Sequence, residues 1–333
     1  MKTGKKLGLF GGVFLVAVIL SVALPVTAAD PAVTEGPPLT YARTKCGVTV
    51  LDGKIYVIGG KGDDNNPTPP IEVFDPATNQ WQVLGPKSWP QNSGYSGHQF
   101  AVGGKLYSFG GKSVDGKSRN KKGYVFDPTT ESWQELPGEA SMGHYDGQGA
   151  VVGTKIYLFG GEDDALTNEA FDYAKAVDIY DTATGEWSVG APQPNPRQDA
   201  YAVPFGNKIY IVAGQGGNKD DATTDTMEVY DIETDTWQTG FTIPYPWEVP
   251  RAVVVNDKVY ILTGKGEGSM FIIEFDPRAM TFKEMSATLK TPRYEGAVVA
   301  LGNKIYCITG KSLEGDLLTS MEIYDPTKDT YYQ

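Results

Sequence analysis

The chain has 333 residues, a formal net charge of -12 and only two cysteines. So few cysteines exclude a small domain framed by disulfides, and the acidic balance disfavours nucleic acid as a partner because phosphate binding needs a basic surface. The length suits one all-β repeat fold as well as two ordinary domains.

Residues 1–28 read as a signal peptide for export. Three lysines precede an uncharged run over residues 7–26, and small residues follow it up to Ala29. We predict cleavage after Ala28, which removes three lysines and no acidic residue and so changes the net charge from -12 to -15. The mature chain is then expected to be secreted or extracytoplasmic, at the cell surface or in a periplasm. Membrane attachment is expected only if the segment stays uncleaved, since its length would span a bilayer.

A repeated pattern organises the rest of the chain. A Lys-apolar-Tyr strand running into glycine begins at Lys54, Lys105, Lys155, Lys208, Lys258 and Lys304. An Asp with an aromatic residue six positions later follows each time, as Asp75 and Trp81, Asp127 and Trp133, Asp181 and Trp187, Asp231 and Trp237, Asp276 and Phe282, and Asp325 and Tyr331. A period of 46 to 53 residues indicates a β-propeller.

Each repeat divides into four short strands, which we name A to D. In the first repeat, strand B is Lys54–Ile58, apolar on both faces as in a sheet covered by neighbours on each side. Strand A over residues 48–51 joins it through the turn Asp52-Gly53, strand C covers residues 72–74, and strand D begins at Trp81. The result is an antiparallel meander.

These marks together resemble the Kelch repeat. The resemblance rests on the aromatic before the Asp, the Trp six residues after it, and the glycine pairs Gly59-Gly60, Gly110-Gly111 and Gly160-Gly161. It covers residues 43–333 and implies an all-β, six-bladed β-propeller of four-stranded antiparallel blades, with repeats starting near 43, 94, 144, 197, 247 and 293. It also implies that strand A lines a central channel and that the B-to-C and D-to-A loops share one face. Repeats four to six depart from it by keeping only the second glycine.

Closure of the ring depends on the two chain ends. The last strand D is expected at Tyr331, two residues before the last residue of the sequence, and residues 29–42 are expected to supply or extend the outer strand of that blade. Closure would make the blades of Cys46 and Cys307 neighbours. An exported protein can oxidise such a pair, but two buried free thiols fit the apolar pattern of these positions better.

A ligand site is predicted at the loop face and the channel mouth. Arg43, His144, Arg197 and Arg293 share an offset of eleven residues before the strand-B lysine and are expected to frame the mouth. The full candidate set is Arg43, Tyr95, His144, Tyr145, Arg197, Trp247, Arg251, Arg293, Tyr294 and Glu295. Arginines and aromatic rings suit a carboxylate or a sugar. A repeated arginine equally suits a structural ion pair with a turn carboxylate of the next blade.

No catalytic residue, metal or cofactor is predicted. The aspartate pairs Asp63-Asp64, Asp163-Asp164 and Asp220-Asp221 lack the spacing of a calcium loop. The favoured function is a monomeric, exported, non-catalytic recognition module that binds a protein or a glycan.

The resemblance also implies two enzymatic alternatives. One is a carbohydrate-active enzyme of the sialic-acid mutarotase type, in which Glu295 beside Arg293 would pair an acid/base with an anion clamp, as would Glu248 beside Arg251. The other, with less support, is a copper enzyme similar to galactose oxidase, for which only two histidines, His98 and His144, are present.

Overall fold

The computed structural model describes residues 32–62, 69–84, 95–113, 117–163, 173–216, 222–266 and 270–331. The predicted signal peptide, Asp164 and the pairs Asp63-Asp64 and Asp220-Asp221 lie outside the described residues. Within the described part of the chain we find no helical segment with the length and hydropathy that a membrane-spanning helix needs.

Six four-stranded antiparallel sheets form the blades of a propeller, as predicted. The innermost strands, A, are Gly47–Leu51, Tyr95–Val102, Gln148–Val152, Tyr201–Phe205, Arg251–Val255 and Ala297–Leu301. Strands B are Lys54–Ile58, Lys105–Lys112, Lys155–Phe159, Lys208–Val212, Lys258–Leu262 and Lys304–Ile308. Strands C are Glu72–Asp75, Tyr124–Asp127, Val177–Asp181, Thr226–Asp231, Phe271–Asp276 and Met321–Tyr324. Strands D are Gln80–Val83, Ser132–Glu135, Glu186–Gly190, Thr236–Thr242, Thr281–Thr288 and, in blade six, Val33–Gly36.

The first and last blades close the ring. Strand A of blade six contacts strand A of blade one, as the other neighbouring blades contact each other. The backbone N–H of Gly310 in blade six also donates to the carbonyl oxygen of Arg43 in blade one at 3.0 Å. The equivalent N–H groups of Gly161 and Gly214 donate to Arg197 and Trp247, each at 2.9 Å. One hydrogen-bond type therefore joins successive blades and also joins the last blade to the first.

The chain ends share blade six in a way that differs from the expectation for Tyr331. Val33–Gly36 pairs along strand C, with Val33 opposite Tyr324, and so supplies the outer strand. Tyr331 instead forms a single bridge to Met285 in strand D of blade five. A 3-10 turn over Pro326–Lys328 separates Tyr331 from strand C, whose outer edge is already paired with Val33–Gly36.

The repeated marks build the interior of each blade. In blade one Phe74 packs against Trp81 with ring centroids 5.2 Å apart, and the carboxylate of Asp75 accepts the N–H of Ala77 at 2.9 Å. Blade five keeps the contact with phenylalanine, since Phe275 and Phe282 stack at 4.6 Å. Conserved geometry therefore does not require Trp at the outer position.

The second glycine of each pair is fixed by a close approach of backbone. A Cβ on Gly60 would lie 2.7 Å from the carbonyl oxygen of Thr44, and one on Gly161 would lie 2.6 Å from that of Tyr145. The first position also has a left-handed backbone, which Ala213 and Thr309 adopt with φ of 52° and 54° in the later repeats. In blade three this position is crowded as well, since a Cβ on Gly160 would clash with the carbonyl oxygen of Arg197.

Cys46 and Cys307 are both buried and unbonded, which agrees with the reading of two free thiols. Burial raises the pKa of the Cys307 thiol to about 12.

Candidate functional site

Four of the predicted site residues lie inside the blades. Arg43, His144, Arg197 and Arg293, which we call the buried basic set, have at most 3% of their surface exposed. Arg43 donates to Glu72 Oε1 at 2.6 Å, and Arg293 donates to Glu322 Oε1 at 2.6 Å. These two arginines also donate to backbone carbonyl oxygens of strand B and the following loop.

The other two members of the set repeat this arrangement. Arg197 lies 3.3 Å from Glu228, and His144 has Nε2 2.8 Å from Asp178 and Nδ1 2.8 Å from the carbonyl oxygen of Gly160. The expectation that these side chains frame an open mouth is therefore wrong, since each is enclosed by carboxylate and carbonyl oxygens of its own blade. A structural ion pair is therefore formed, but with a strand-C carboxylate of the same blade and not with a turn carboxylate of the next blade as predicted.

A sequence signal for this role exists in the acidic partners. Glu72, Asp178, Glu228 and Glu322 each lie three residues before the turn Asp of their repeat, in the same four repeats that carry the basic residue. In blade five both positions change together, to Trp247 and Ile273, and both side chains are buried in one apolar cluster. Trp247 is 1% exposed, so its predicted ligand contact is not possible in this conformation.

The residue nine positions before each strand-B lysine forms a ring around the channel mouth. This mouth ring consists of Lys45, Ser96, Asp146, Asp199, Val249 and Glu295, and all six have φ between 51° and 58°. Backbone N–H groups donate from Lys45 to Glu295, from Ser96 to Lys45, from Asp199 to Asp146 and from Val249 to Asp199, at 2.8 to 3.1 Å. Blade-to-blade hydrogen bonds therefore hold the mouth ring in one conformation.

Most charges of the mouth ring are paired. Lys45 reaches past blade two, donating from Nζ to Asp146 at 3.1 Å, and lies 3.8 Å from Glu295. Glu295 also accepts from Thr44 at 2.7 Å and pairs with Lys311 at 3.0 Å. Although burial opposes it, these partners hold the pKa of Glu295 below its ordinary value.

Tyrosines surround the mouth on the loop face. Tyr145 lies edge-on to Tyr95, with ring centroids 6.1 Å apart, and has cationic groups of Lys45, Lys112 and Arg119 within 5.8 Å of its ring centroid. Burial and the Asp146 carboxylate raise the Tyr145 pKa, so its hydroxyl stays protonated. Opposite it on the ring, Tyr294 lies within 6.0 Å of two cationic groups, those of Lys265 and Lys311.

Below the mouth ring, strand A presents a second layer to the channel. We call it the channel layer, and it consists of Gly47, His98, Gln148, Tyr201, Arg251 and Ala297. With five residues of the mouth ring, all except Glu295, it lines a cavity of about 110 Å³. Sequence reasoning did not select Gln148 or Tyr201, because neither residue type recurs at this offset in another repeat.

The channel layer contains polar atoms that no described residue satisfies. Gln148 is 2% exposed and neither its Oε1 nor its Nε2 has a hydrogen-bond partner in the described part of the chain. The same holds for His98 Nε2 and Ser96 Oγ. Burying a polar atom without a partner costs about 1–3 kcal/mol, and these atoms have almost no exposed surface, so they do not face the open space of the cavity.

Arg251 and Asp199 carry the free charges of the cavity. Arg251 lies over the ring of Tyr201 at 5.6 Å and donates to the carbonyl oxygens of Gly296 and Pro250 at 3.0 and 2.9 Å, but to no described carboxylate. The Asp199 carboxylate likewise has no hydrogen bond or ion pair with a described residue. Burial, and then the Asp146 carboxylate, raise its pKa to about 7, against the charges of Lys45 and Arg251, which lower it.

The acid and anion-clamp pairs proposed for an enzyme are not formed. Arg293 is enclosed in its blade, while Glu295 binds Thr44 and Lys311. Glu248 pairs with Lys265 at 3.2 Å instead of with Arg251. Both ring nitrogens of His144 are engaged inside blade three, so a copper site that needs both histidines lacks one of its ligands.

Comparison with known proteins identifies the repeat. A model of the KLHDC2/KLHL20/DRC7 Kelch-repeats domain matches residues 97–310, and the Kelch motif matches residues 42–88 and 292–333. The chain belongs to the Kelch-repeat family. The solved structure of YjhT is similar to this Kelch propeller, with a TM-score of 0.71 and 20% identity over 90% of this chain and 99% of that one.

Kelch relatives are similar in sequence to parts of the chain. Kelch-like protein 25 of Xenopus tropicalis is 26% identical over 59% of this chain and 32% of its own length. Kelch-like protein 23 of Homo sapiens is 29% identical over 53% and 30%, and Kelch-like protein terF of Aspergillus terreus is 30% identical over 55% and 42%. The match thus spans about a third of the length of these relatives.

Proposed function

We propose that this Kelch propeller is an exported, non-catalytic recognition module that binds another protein through the tyrosine-bearing loop face around the channel mouth. The observation that carries the proposal is the pair of tyrosines, Tyr145 and Tyr294, each placed between cationic side chains next to the mouth ring. Tyrosine and arginine are the residues that most often supply binding energy at protein interfaces.

The backbone supports this role. Tyr145 and Tyr294 directly precede Asp146 and Glu295 of the mouth ring, and each pairs with the third residue after strand B, Glu162 and Lys311 respectively. A side chain on such a braced backbone loses little conformational freedom when it binds. Loops on a rigid scaffold are the usual place for recognition.

The test is to find where peptides bind. We would select binders from a displayed random-peptide library on the purified protein and measure their affinity for Tyr145→Ala and Tyr294→Ala. Binding through this face predicts a loss of at least about tenfold for most peptides in one or both variants. Tyr331→Ala is the matched control, since Tyr331 is 44% exposed and bridges to the outer strand of blade five. Equal affinity in all three variants would refute the proposed face.

A glycan array on the same variants separates the two ligand classes. Binding of a glycan, but of no peptide, with loss in Tyr145→Ala would keep the face and replace the partner by a carbohydrate. Export is tested separately, because a cleaved protein recovered outside the cytoplasm should begin at Ala29 by N-terminal sequencing. Recovery with Met1 in place would show that the segment is retained.

A further inference from the structure

We propose that the channel cavity is a second, separate site that binds a small zwitterion, with the carboxylate of the ligand on Arg251 and its cationic group on Asp199. This inference does not depend on the tyrosine-bearing loop face. It starts from the charges that the blades leave without partners.

The acidic residues around the mouth are satisfied with one exception. Lys45 forms ion pairs with Asp146 and Glu295. Lys311 also pairs with Glu295, and Lys265 pairs with Glu248. Asp199 is the remaining acid of this group, and among the described residues no cation or N–H contacts its carboxylate.

The basic residues show the same asymmetry. Lys45 pairs with Asp146 at 3.1 Å. Arg251 donates its described hydrogen bonds to carbonyl oxygens, which carry no net charge and so do not neutralise the guanidinium. Its position over Tyr201 fixes the guanidinium at the cavity wall. A guanidinium held this way is preorganised for a carboxylate, which it binds through two parallel hydrogen bonds.

Arg251 and Asp199 line the same cavity, and no ion pair joins them in the described structure. A simple anion on Arg251 would place a second negative charge near Asp199, and a simple cation on Asp199 would leave Arg251 unpaired. A buried charge without a partner is costly, so a ligand that carries both signs satisfies the cavity best.

The size and polarity of the cavity narrow the class of ligand further. A cavity of 150 Å³ holds benzene, so about 110 Å³ here encloses about four non-hydrogen atoms, and the rest of a ligand would extend through the mouth. Gln148 and His98 belong to the lining, but their unpaired side-chain atoms have almost no exposed surface, so a ligand would reach them only after a side-chain rotation. Alanine and serine carry both charges and are among the smallest zwitterions of this kind.

The experiment is calorimetric titration of the purified protein with alanine, serine and two single-charge analogues, propionate and propylamine. We expect the zwitterions to bind at least about tenfold more tightly than either analogue. Asp199→Asn should remove the preference of the protein for alanine over propionate and keep propionate binding. Arg251→Met should weaken alanine and propionate alike, by at least about tenfold.

Matched controls come from an exposed ion pair on the opposite face. Arg278 and Asp257 pair at 3.0 Å and are both 66% exposed, so Arg278→Met and Asp257→Asn make the same chemical changes away from the channel. They should leave every affinity unchanged, and unchanged thermal unfolding of Asp199→Asn would show that it is folded. Absence of binding by all four probes, or equal affinity for alanine and propionate in the unaltered protein, would overturn the proposal.

Discussion

The buried basic set and the channel layer are built from residues four positions apart in each repeat. They differ in whether their charged side chains have partners of opposite charge. In the buried basic set the same chemistry recurs, and each base meets a strand-C acid of its own blade. In the channel layer all six residue types differ, and Arg251 has no described acidic partner. Recurrence across blades therefore marks residues that hold the fold, while variation at a position facing the channel marks residues free to serve a ligand.

The largest effect is expected from breaking a pair of the buried basic set. Arg293→Ala should lower the free energy of unfolding by about 3–5 kcal/mol, because it removes the counter-charge of the buried Glu322. Among the described residues, that carboxylate then keeps only the backbone N–H groups of Lys290 and Thr291. Introducing the blade-five residues together, as Arg293→Trp with Glu322→Ile, should cost much less, since a buried ion pair and a packed apolar pair are often close in stability. Urea denaturation of both proteins measures the difference.

Two outcomes would contradict this account of the set. One is an Arg293→Ala variant within about 1 kcal/mol of the unaltered protein, as is usual for an exposed residue. The other is a double variant at least as unstable as Arg293→Ala, which would show that Trp247 and Ile273 are not an equivalent solution in blade five.

This pair also shows what the sequence could and could not predict. The fold followed from the strand-B lysines and the Asp-to-aromatic spacing, because both are local and occur in every blade. An offset along the chain does not give the direction of a side chain, so Arg293 and Arg43 were assigned to the mouth. Their acidic partners lie 29 residues further along the chain, and only the shared pattern of the four repeats connects them.

Most of the channel layer could not be predicted, because its residue types do not recur between repeats. Gln148 and Tyr201 occur once each at their offset, so no periodic signal selects them, and their importance appears only when the ring brings the six strands A together. Arg251 could be selected from its residue type alone, because arginine suits a carboxylate ligand. Asp199 was not selected, although acidic residues stand at the same offset in blades three and six, as Asp146 and Glu295.

A second prediction concerns how the stability of the protein depends on pH through His98 of the channel layer. Burial, and then the charge of His144, lower the pKa of His98 to about 4 from 6.5. Between these values the unfolded chain binds a proton that the folded chain does not, so stability is complete above pH 6.5 and falls as the pH drops toward 4. The loss reaches up to about 3 kcal/mol.

His98→Gln isolates this contribution. The variant should lose less stability than the unaltered protein between pH 7 and 4, because acids such as Asp199 titrate in both proteins and cancel in the difference. Chemical denaturation at several pH values measures it. Parallel pH profiles in the two proteins would show that His98 is not held neutral in the channel.

The smallest effect is expected at Arg251, and it separates the two layers most directly. Arg251→Met should change the free energy of unfolding by about 1 kcal/mol or less, because no described carboxylate loses its partner and only hydrogen bonds to carbonyl oxygens are removed. The same measurement on Arg197→Met should give a loss of several kcal/mol, since Glu228 is 1% exposed. Equal losses at these two arginines would mean that Arg251 is as structural as the buried basic set, and that variation between blades does not distinguish a ligand position from a structural one.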